Sequence, residues 1–207
     1  MSEQQHQEIA IIMLAAGASS RMMSADKLLE KIDDIPLLRH ATTQALTSRA
    51  QTVIVVLRPR DGERRACLHG TKARLVKNPD WQNGMASSIA TGLRACPPSI
   101  TAAVIALADM PDIKSQDYNC LIDTFKASSE ESIIRASSQS GRHGHPVLFP
   151  RRYFPALQGL HGDRGAKEIL HKHADQVIAV CLHADSALTD LDTPEDWQAY
   201  RQRQPDN

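Results

Sequence analysis

Short apolar runs recur along the chain and alternate with longer segments whose apolar residues return every three or four positions. The runs at 9–14, 52–57 and 101–107 predict strands that are buried on both faces. The segments at 35–50 and 115–126 have the periodicity of amphipathic helices. Strands that alternate with helices predict an α/β fold in which a mostly parallel sheet is joined by right-handed crossovers.

Weaker signals complete this pattern. Brief apolar runs predict further strands at 74–76, 133–136 and 176–182, and Pro194 marks the first turn of a final helix. No repeat, linker or low-complexity tract interrupts the chain. We therefore expect one domain over residues 1–207, with mobile ends at 1–7 and 201–207.

Composition excludes several classes of protein. Lys plus Arg and Asp plus Glu are 24 each, so no basic field predicts binding to nucleic acid or to an anionic membrane. No apolar run approaches the roughly 20 residues of a membrane span, and the polar start lacks the pattern of a signal peptide. The cysteines are scattered, which indicates neither a zinc site nor a disulfide framework and favours a cytoplasmic location: Cys67, Cys96, Cys120 and Cys181.

Small residues follow the first strand. The run 15–20 reads AAGASS, and Arg21 and Lys27 then bring positive charge to the same loop. Small residues let a ligand approach the backbone, and exposed N–H groups with nearby cations suit a polyphosphate. An ordinary turn between strand and helix is the alternative. The loop lacks the Gly-Lys-Ser/Thr of a Walker motif, and Gly17 stands alone where a dinucleotide fingerprint needs three glycines.

The same stretch resembles the signature of the molybdenum-cofactor nucleotidyltransferases, L-A-(A/G)-G-x-S-x-R-M-G-x-x-K. The matching residues are Leu14, Ala15, Ala16, Gly17, Ser19, Arg21, Met22 and Lys27, with Met23 in place of the second glycine. The resemblance implies a three-layer, Rossmann-like nucleotidyltransferase fold with a mostly parallel central sheet. It also implies nucleotide binding by Leu14, Ala15, Ala16, Gly17, Arg21 and Lys27, with Arg21 and Lys27 in catalytic roles. In that family an alanine at the position of Ala16 accompanies cytidylyltransferases.

A second polar stretch, NPDWQNGMASSIATGL, begins at Asn78. Gly84 opens a predicted helix, and Ser88 lies in its first turns. These residues could cap the helix, or they could hydrogen-bond a base or ribose. The similarity to the cytidylyltransferase pattern favours nucleotide binding by Asn78, Gly84 and Ser88.

Carboxylates occur where a metal ion would be needed. Asp109 directly follows the predicted strand 101–107, and ligands of parallel sheets bind beyond the carboxyl ends of strands. A lone aspartate there is more often a turn residue or a cap, but A-D-M-P resembles the family's metal-binding motif. Asp190 and Asp192, in a D-x-D-T-P-E-D string, complete that site in the family, and we favour Asp192. The expected ion is Mg²⁺, with Mn²⁺ as an alternative.

Two further strings resemble the family's pterin-binding residues. G-H-P-V-L-F contains His145, and G-D-x-G-A supplies Gly162, Asp163, Arg164 and Gly165. A capped helix with a glycine-rich entry explains the second string equally well.

The resemblance implies transfer of CMP from CTP to the phosphate of molybdenum-loaded molybdopterin, with release of pyrophosphate. The partners would be CTP, molybdopterin and a molybdenum hydroxylase that receives the product. Such a transfer needs alignment and charge neutralisation rather than a covalent nucleophile. The alternatives are a guanylyltransferase or sugar-phosphate nucleotidyltransferase, a non-catalytic carrier of the cofactor, and a Rossmann oxidoreductase.

Overall fold

The structure, a computed structural model, describes residues 7–19, 22, 26–128, 131–162 and 166–203. Its strands are β1 (Glu8–Leu14), β2 (Lys31–Ile32), β3 (Ile35–Pro36), β4 (Thr52–Leu57), β5 (Arg74–Lys77), β6 (Ile100–Leu107), β7 (Ile133–Ser137), β8 (His143–Pro150) and β9 (Val177–Cys181). Its α-helices are α1 (Leu37–Leu46), α2 (Gly62–Cys67), α3 (Met85–Arg94), α4 (Ser115–Ala127), α5 (Phe154–Gln158), α6 (Lys167–Lys172) and α7 (Pro194–Arg203).

Seven of these strands form the central sheet in the order β5-β4-β1-β6-β8-β7-β9. Neighbouring strands are parallel except at β8, which runs antiparallel to both β6 and β7. This confirms the predicted α/β fold with a mostly parallel sheet. Leu14 pairs with Leu107, so β1 and β6 end side by side at one edge of the sheet.

The sheet lies between two layers of helices. Alternate residues of β1 point to opposite faces: Ile11 joins an apolar cluster with α1, α4 and α7, whereas Ile12 joins a cluster with α3, α5 and α6. Burial of an isoleucine on each face contributes about 1.5–3 kcal/mol per side chain. The uninterrupted apolar run of β1 follows from this burial on both faces, and the three-layer arrangement is as predicted.

A small hairpin explains one departure from the predicted elements. The periodicity predicts a helix over 35–50, but α1 begins at Leu37 because Ile35 pairs with Ile32 in an antiparallel hairpin. Asp33 and Asp34, with φ of 49° and 61°, form its two-residue turn. Positive φ at both central residues is the geometry that a type I′ hairpin turn requires.

The ends of the chain fall partly outside the described residues. The predicted mobile segments are 1–7 and 201–207, of which residue 7 and residues 201–203 are described, the latter as the last turn of α7. Among the described residues, every helix is too short or too polar to cross a bilayer.

Candidate active site

A cavity of about 530 Å³ opens at the carboxyl edge of the sheet. Leu14 and Leu107, the last residues of β1 and β6, form its floor, and the segments that follow both strands form its walls. Its volume lies within the range of small-molecule sites. The position agrees with the rule that open α/β sheets bind ligands beyond the carboxyl ends of their strands.

One wall of the cavity is the small-residue loop (residues 15–19). The amide of Ala15 continues the sheet by donating to the Val56 carbonyl at 3.0 Å. Within the described part of the chain, the amides of the next four residues find no acceptor. A Cβ atom built on Gly17 would meet no heavy atom within 4 Å. The fold itself therefore does not require glycine at this position, and the space beside it is open to a ligand.

This open space distinguishes Gly17 from Gly92 of α3. A Cβ at Gly92 would lie 2.3 Å from Cγ2 of Ile12 in the core. We expect Gly17→Ala to unfold like the native protein but to bind nucleotide about tenfold more weakly, because the methyl group fills ligand space. Gly92→Ala is the matched control. The added methyl group overpacks the core and should lower the free energy of unfolding by about 1–3 kcal/mol, the usual size of such effects. Denaturant unfolding and calorimetric titration would measure both, and a destabilised Gly17→Ala would contradict the assignment.

Lys27 lies between two carboxylates at the mouth of the cavity. Its Nζ atom is 2.5 Å from Oδ2 of Asp109 and also forms an ion pair with Oδ1 of Asp192. Burial by itself lowers the pKa of Lys27, but the charges and hydrogen bonds of the two aspartates outweigh burial and raise that pKa above its ordinary value. Lys27 is therefore a permanent cation beside the small-residue loop.

The carboxylates come from distant segments that the backbone holds together. The Leu191 amide donates to the Asp109 carbonyl at 3.0 Å, which ties the loop 190–192 to the end of β6. Asp196 accepts hydrogen bonds from the amides of Asp192 and Thr193, and its own amide donates to the Thr193 hydroxyl, so the two residues form a capping box at the start of α7. Capping thus accounts for Asp196, while Asp190 and Asp192 line the cavity, and their predicted role as metal ligands stays a prediction.

The site carries more negative than positive charge among its described residues. Three aspartates line the cavity with one lysine, Lys27, which forms ion pairs with two of them: Asp109, Asp190 and Asp192. Oδ1 of Asp109 is buried and accepts no hydrogen bond from a described residue. Burial, together with the charges of Asp192 and Asp109, raises the pKa of Asp190. This excess of oxygen donors fits a hard divalent cation.

The fit depends on a ligand that completes the shell. In the described chain, no three carboxylate, imidazole or thiol groups are grouped closely enough to hold a metal ion by themselves. Mg²⁺ is commonly bound through one or two carboxylates together with substrate phosphates. The residues therefore fit a cation that binds with a polyphosphate better than one held by the protein alone.

The second predicted stretch forms the opposite wall. Gly84, with φ 84°, precedes α3, and both Gly84 and Ser88 line the cavity. Asn78 is fully buried behind them rather than in the wall. Its Nδ2 donates to the hydroxyls of Ser87 and Ser88 at 2.8 and 3.0 Å, and its Oδ1 accepts from the Asp80 amide. Asn78, predicted to contact nucleotide, is thus placed to position the α3 serines, since its amide group is already used.

The predicted pterin-binding residues lie farther along the edge. His145 is the third residue of β8 and lies beside the end of β6, but it is not among the cavity-lining residues. Burial and then the charge of Arg135 lower the pKa of His145, so its imidazole is neutral at pH 7. Gly162 has a φ of 72° and also lies outside the cavity wall. Arg21, Asp163, Arg164 and Gly165 fall outside the described residues, and their predicted roles stay predictions.

Sequence reasoning missed several residues that shape the site. Trp81 and Gln82 line the cavity, and the Arg58 guanidinium lies 5.7 Å from the centre of the Trp81 ring. An aromatic residue in a polar loop was the available signal for Trp81. Arg64 of α2 is fully buried against the small-residue loop, and no sequence pattern indicated that position.

Comparison with known proteins places these features in a family. Residues 11–177 match the MobA-like NTP transferase domain. The chain is similar to the purine catabolism protein PucB of Bacillus subtilis (strain 168), with 30% identity covering 92% of this chain and 94% of that protein. It is also similar to nicotine blue oxidoreductase of Paenarthrobacter nicotinovorans, with 28% identity over the same shares of the two chains.

Solved structures share the fold. Rv0371c from Mycobacterium tuberculosis H37Rv superposes with a TM-score of 0.81 and 26% identity, covering 93% of this chain and 96% of that one. A nucleotidyl transferase from Methanothermobacter thermautotroptrophicus gives a TM-score of 0.81 at 18% identity, covering 94% and 96% of the two chains. The second likeness shows the architecture alone, and both agree with the sheet described above.

Proposed function

Because the chain belongs to the MobA-like NTP transferase family, we propose that it transfers CMP from CTP to the phosphate of molybdenum-loaded molybdopterin. One observation carries the nucleotide part of this proposal. An open small-residue loop faces a cation, Lys27, and a group of carboxylates across a single cavity. Backbone amides and cations suit phosphates, and the carboxylates suit the metal ion that accompanies them.

The chemistry requires alignment more than covalent catalysis. An oxygen of the acceptor phosphate attacks the α-phosphorus of CTP, and the bond from that phosphorus to the β-phosphate oxygen breaks to release pyrophosphate. The acceptor is already ionised at neutral pH, so no strong general base is needed. Lys27 supplies a fixed positive charge for the leaving pyrophosphate. The small-residue loop would orient the triphosphate, and the Arg21 side chain is predicted to assist.

Asp109 and Asp192 would hold Mg²⁺ or Mn²⁺, with Asp190 beside them. When bound with the nucleotide, such an ion neutralises phosphate charge and polarises the α-phosphorus. The unsatisfied Oδ1 of Asp109 supports this assignment. Lys27 and the cation would then share the same carboxylates.

The molybdopterin acceptor is supported by the sequence strings around His145 and Gly162. The start of β8 reaches the carboxyl edge of the sheet, and the charge of Asp109 acts on His145. Arg135 and Lys167 also act on His145 and add positive charge on that side. A phosphorylated acceptor fits this environment. A cytoplasmic location and a molybdenum hydroxylase as the recipient of the product stay predictions.

Ala16 offers a physical reason for a preference for cytosine. It lines the cavity, is 3% exposed and packs in the apolar cluster that contains Ile12, so loss of its methyl group would let the cavity wall recede from a bound base. We expect Ala16→Gly to narrow the preference for CTP over GTP by about tenfold, within the ~1–3 kcal/mol that one pocket methyl group supplies. The ratio of kcat/KM for the two nucleotides measures it. Ala18→Gly, at an exposed position of the same loop, is the control, and an unchanged ratio in Ala16→Gly would place the discrimination elsewhere.

The proposal is tested by pyrophosphate release with purified protein, Mg²⁺ and molybdenum-loaded molybdopterin. CTP, GTP, ATP and UTP are supplied in parallel, and release with CTP alone is the expected result. Release with GTP alone would keep the reaction but overturn the base assignment. Tight cofactor binding without release from any nucleotide would favour the carrier.

The similarity to nicotine blue oxidoreductase gives a second candidate function, an oxidoreductase that acts on nicotine blue or a related compound. Against it, the small-residue loop contains one glycine rather than the three of the dinucleotide fingerprint. A parallel assay with nicotine blue and NADH or NADPH distinguishes the two functions. A change in the absorbance of nicotine blue coupled to oxidation of the nicotinamide cofactor, without pyrophosphate release, would favour the oxidoreductase.

A further inference from the structure

Arg64 is a buried cation whose hydrogen bonds all lead to one segment of the chain. Its side chain is 0% exposed, although it lies on the six-residue helix α2. Its Nη1 atom donates to the carbonyls of Ala15 and Gly17 at 2.7 and 3.0 Å. Its Nη2 atom donates to the Ser19 hydroxyl at 3.1 Å. Its Nε and Nη2 atoms form a fork on the Asp26 carboxylate at 2.7 and 2.8 Å.

These contacts use all five N–H groups of a guanidinium. None of them serves the helix that carries Arg64. Burial of an unpaired charge would be costly, but the bidentate pair with Asp26 and the nearby carboxylate of Asp61, at 3.6 Å, neutralise it. Burial by itself raises the pKa of Asp26, yet the hydrogen bond and charge of Arg64 outweigh burial and lower that pKa.

The two carbonyl contacts fix the direction of backbone amides. In a trans peptide the carbonyl of one residue and the N–H of the next point to opposite sides. With the carbonyls of Ala15 and Gly17 turned toward Arg64, the N–H groups of Ala16 and Ala18 point away from it. Arg64 is not a cavity-lining residue, whereas Ala16 and Ala18 both line the cavity. Arg64 thus turns alternate amides toward the space where a phosphate would lie.

Ser19 and Asp26 extend this control to Lys27. Ser19 has a φ of 54°, an uncommon conformation for a residue with a side chain, and its hydroxyl is held between Arg64 and Asp26. Asp26 accepts from the Leu28 amide through its side chain and from the Leu29 amide through its carbonyl. These bonds form the turn that carries Lys27, so a single guanidinium braces both phosphate-facing elements.

We propose that Arg64 is the positioning residue that presets the small-residue loop and the turn of Lys27 for a triphosphate. This inference rests on the proposed nucleotidyl transfer. A bound triphosphate would need no reorganisation of the loop, because the amides already face the cavity. Preorganisation of this kind raises affinity by removing the ordering cost of binding.

Arg64→Lys is the main test because it keeps the charge but lacks the planar fork. We expect its Kd for CTP and for inorganic triphosphate to rise at least tenfold in calorimetric titrations with Mg²⁺. Hydrogen exchange of the amides of Leu28 and Leu29, which donate to Asp26, should accelerate in the ligand-free protein. Arg151→Lys is the matched control, since the Arg151 guanidinium also donates to a backbone carbonyl, that of Ile100, but lies outside the cavity wall. Its triphosphate affinity should stay within about twofold of the wild type.

Asp26→Asn keeps the test decisive if Arg64→Lys does not fold. It weakens the fork while leaving an acceptor in place, and we expect a smaller loss of triphosphate affinity in the same direction. If the folded Arg64→Lys protein binds triphosphate as tightly as the wild type, the inference is overturned while the proposed function stands. If only Asp26→Asn folds, wild-type binding by that variant has the same consequence. A wild-type protein that binds none of the four nucleoside triphosphates would overturn the proposed function, and this inference with it.

Discussion

Lys27→Met is expected to lower the rate of CMP transfer by about 10²–10³-fold, the usual cost of removing one electrostatic contact to a developing charge. Lys27 is a cation beside the small-residue loop, and methionine keeps much of its length and apolar stem without the charge. The loss should appear mainly in kcat at saturating CTP, because the charge acts on the departing pyrophosphate.

Single-turnover pyrophosphate release measures this prediction directly. Lys31→Met, at an exposed position of β2, removes the same charge outside the cavity and should turn over like the wild type. Thermal unfolding would show whether the unbalanced carboxylates of Asp109 and Asp192 destabilise the variant. Near-native turnover in a folded Lys27→Met protein would remove Lys27 from the mechanism.

Asp109→Asn should also reduce turnover by about 10²–10³-fold. It should in addition change how the rate depends on the concentration of Mg²⁺. Asparagine preserves the size of the side chain but removes the charge that would hold Mg²⁺. We expect the Mg²⁺ concentration needed for half-maximal rate to rise at least tenfold, because a carboxylate is a much stronger ligand than an amide for a hard cation.

The measurement is a Mg²⁺ titration of the rate at saturating CTP, repeated with Mn²⁺. Asp123→Asn is the control, since that exposed carboxylate pairs with Arg49 outside the cavity. A variant with the wild-type metal dependence would show that Asp109 serves only to hold Lys27.

The sequence was informative where candidate site residues directly follow a buried strand. The apolar run of β1 and the small residues after it predicted both the strand and the loop, because burial on two faces leaves no polar position in the run. Asp109 also directly follows a strand, β6, but its choice over a turn residue depended on the resemblance of the A-D-M-P string to a family motif. Asp190 and Asp192 could be singled out only after the helix start signalled by Pro194 and Asp196 had been recognised. The structure places Asp190 and Asp192 at the cavity.

The sequence was uninformative where a contact spans the fold. A charged residue on a short polar helix ordinarily faces solvent, so Arg64 could not be recognised until α2 was packed against the small-residue loop. Asn78 shows the converse, since a polar residue in a family-like string is buried behind the cavity. In both cases the residue's hydrogen-bond partners lie elsewhere in the chain, and the local periodicity of the sequence carries no information about such distant contacts.

The reversed direction of β8 separates two tasks within one sheet. At the edge of the sheet where the cavity lies, each parallel strand ends, so only the loop after it reaches the cavity edge. The antiparallel strand β8 begins at this edge, so its first residues lie there instead. Loops after β1 and β6 would hold the donor nucleotide, and the entry to β8 would meet the acceptor. A change in the residues at 143–145 would therefore alter which acceptor is modified without changing how the donor triphosphate is bound. This division would let one scaffold keep its donor chemistry while it exchanges acceptors.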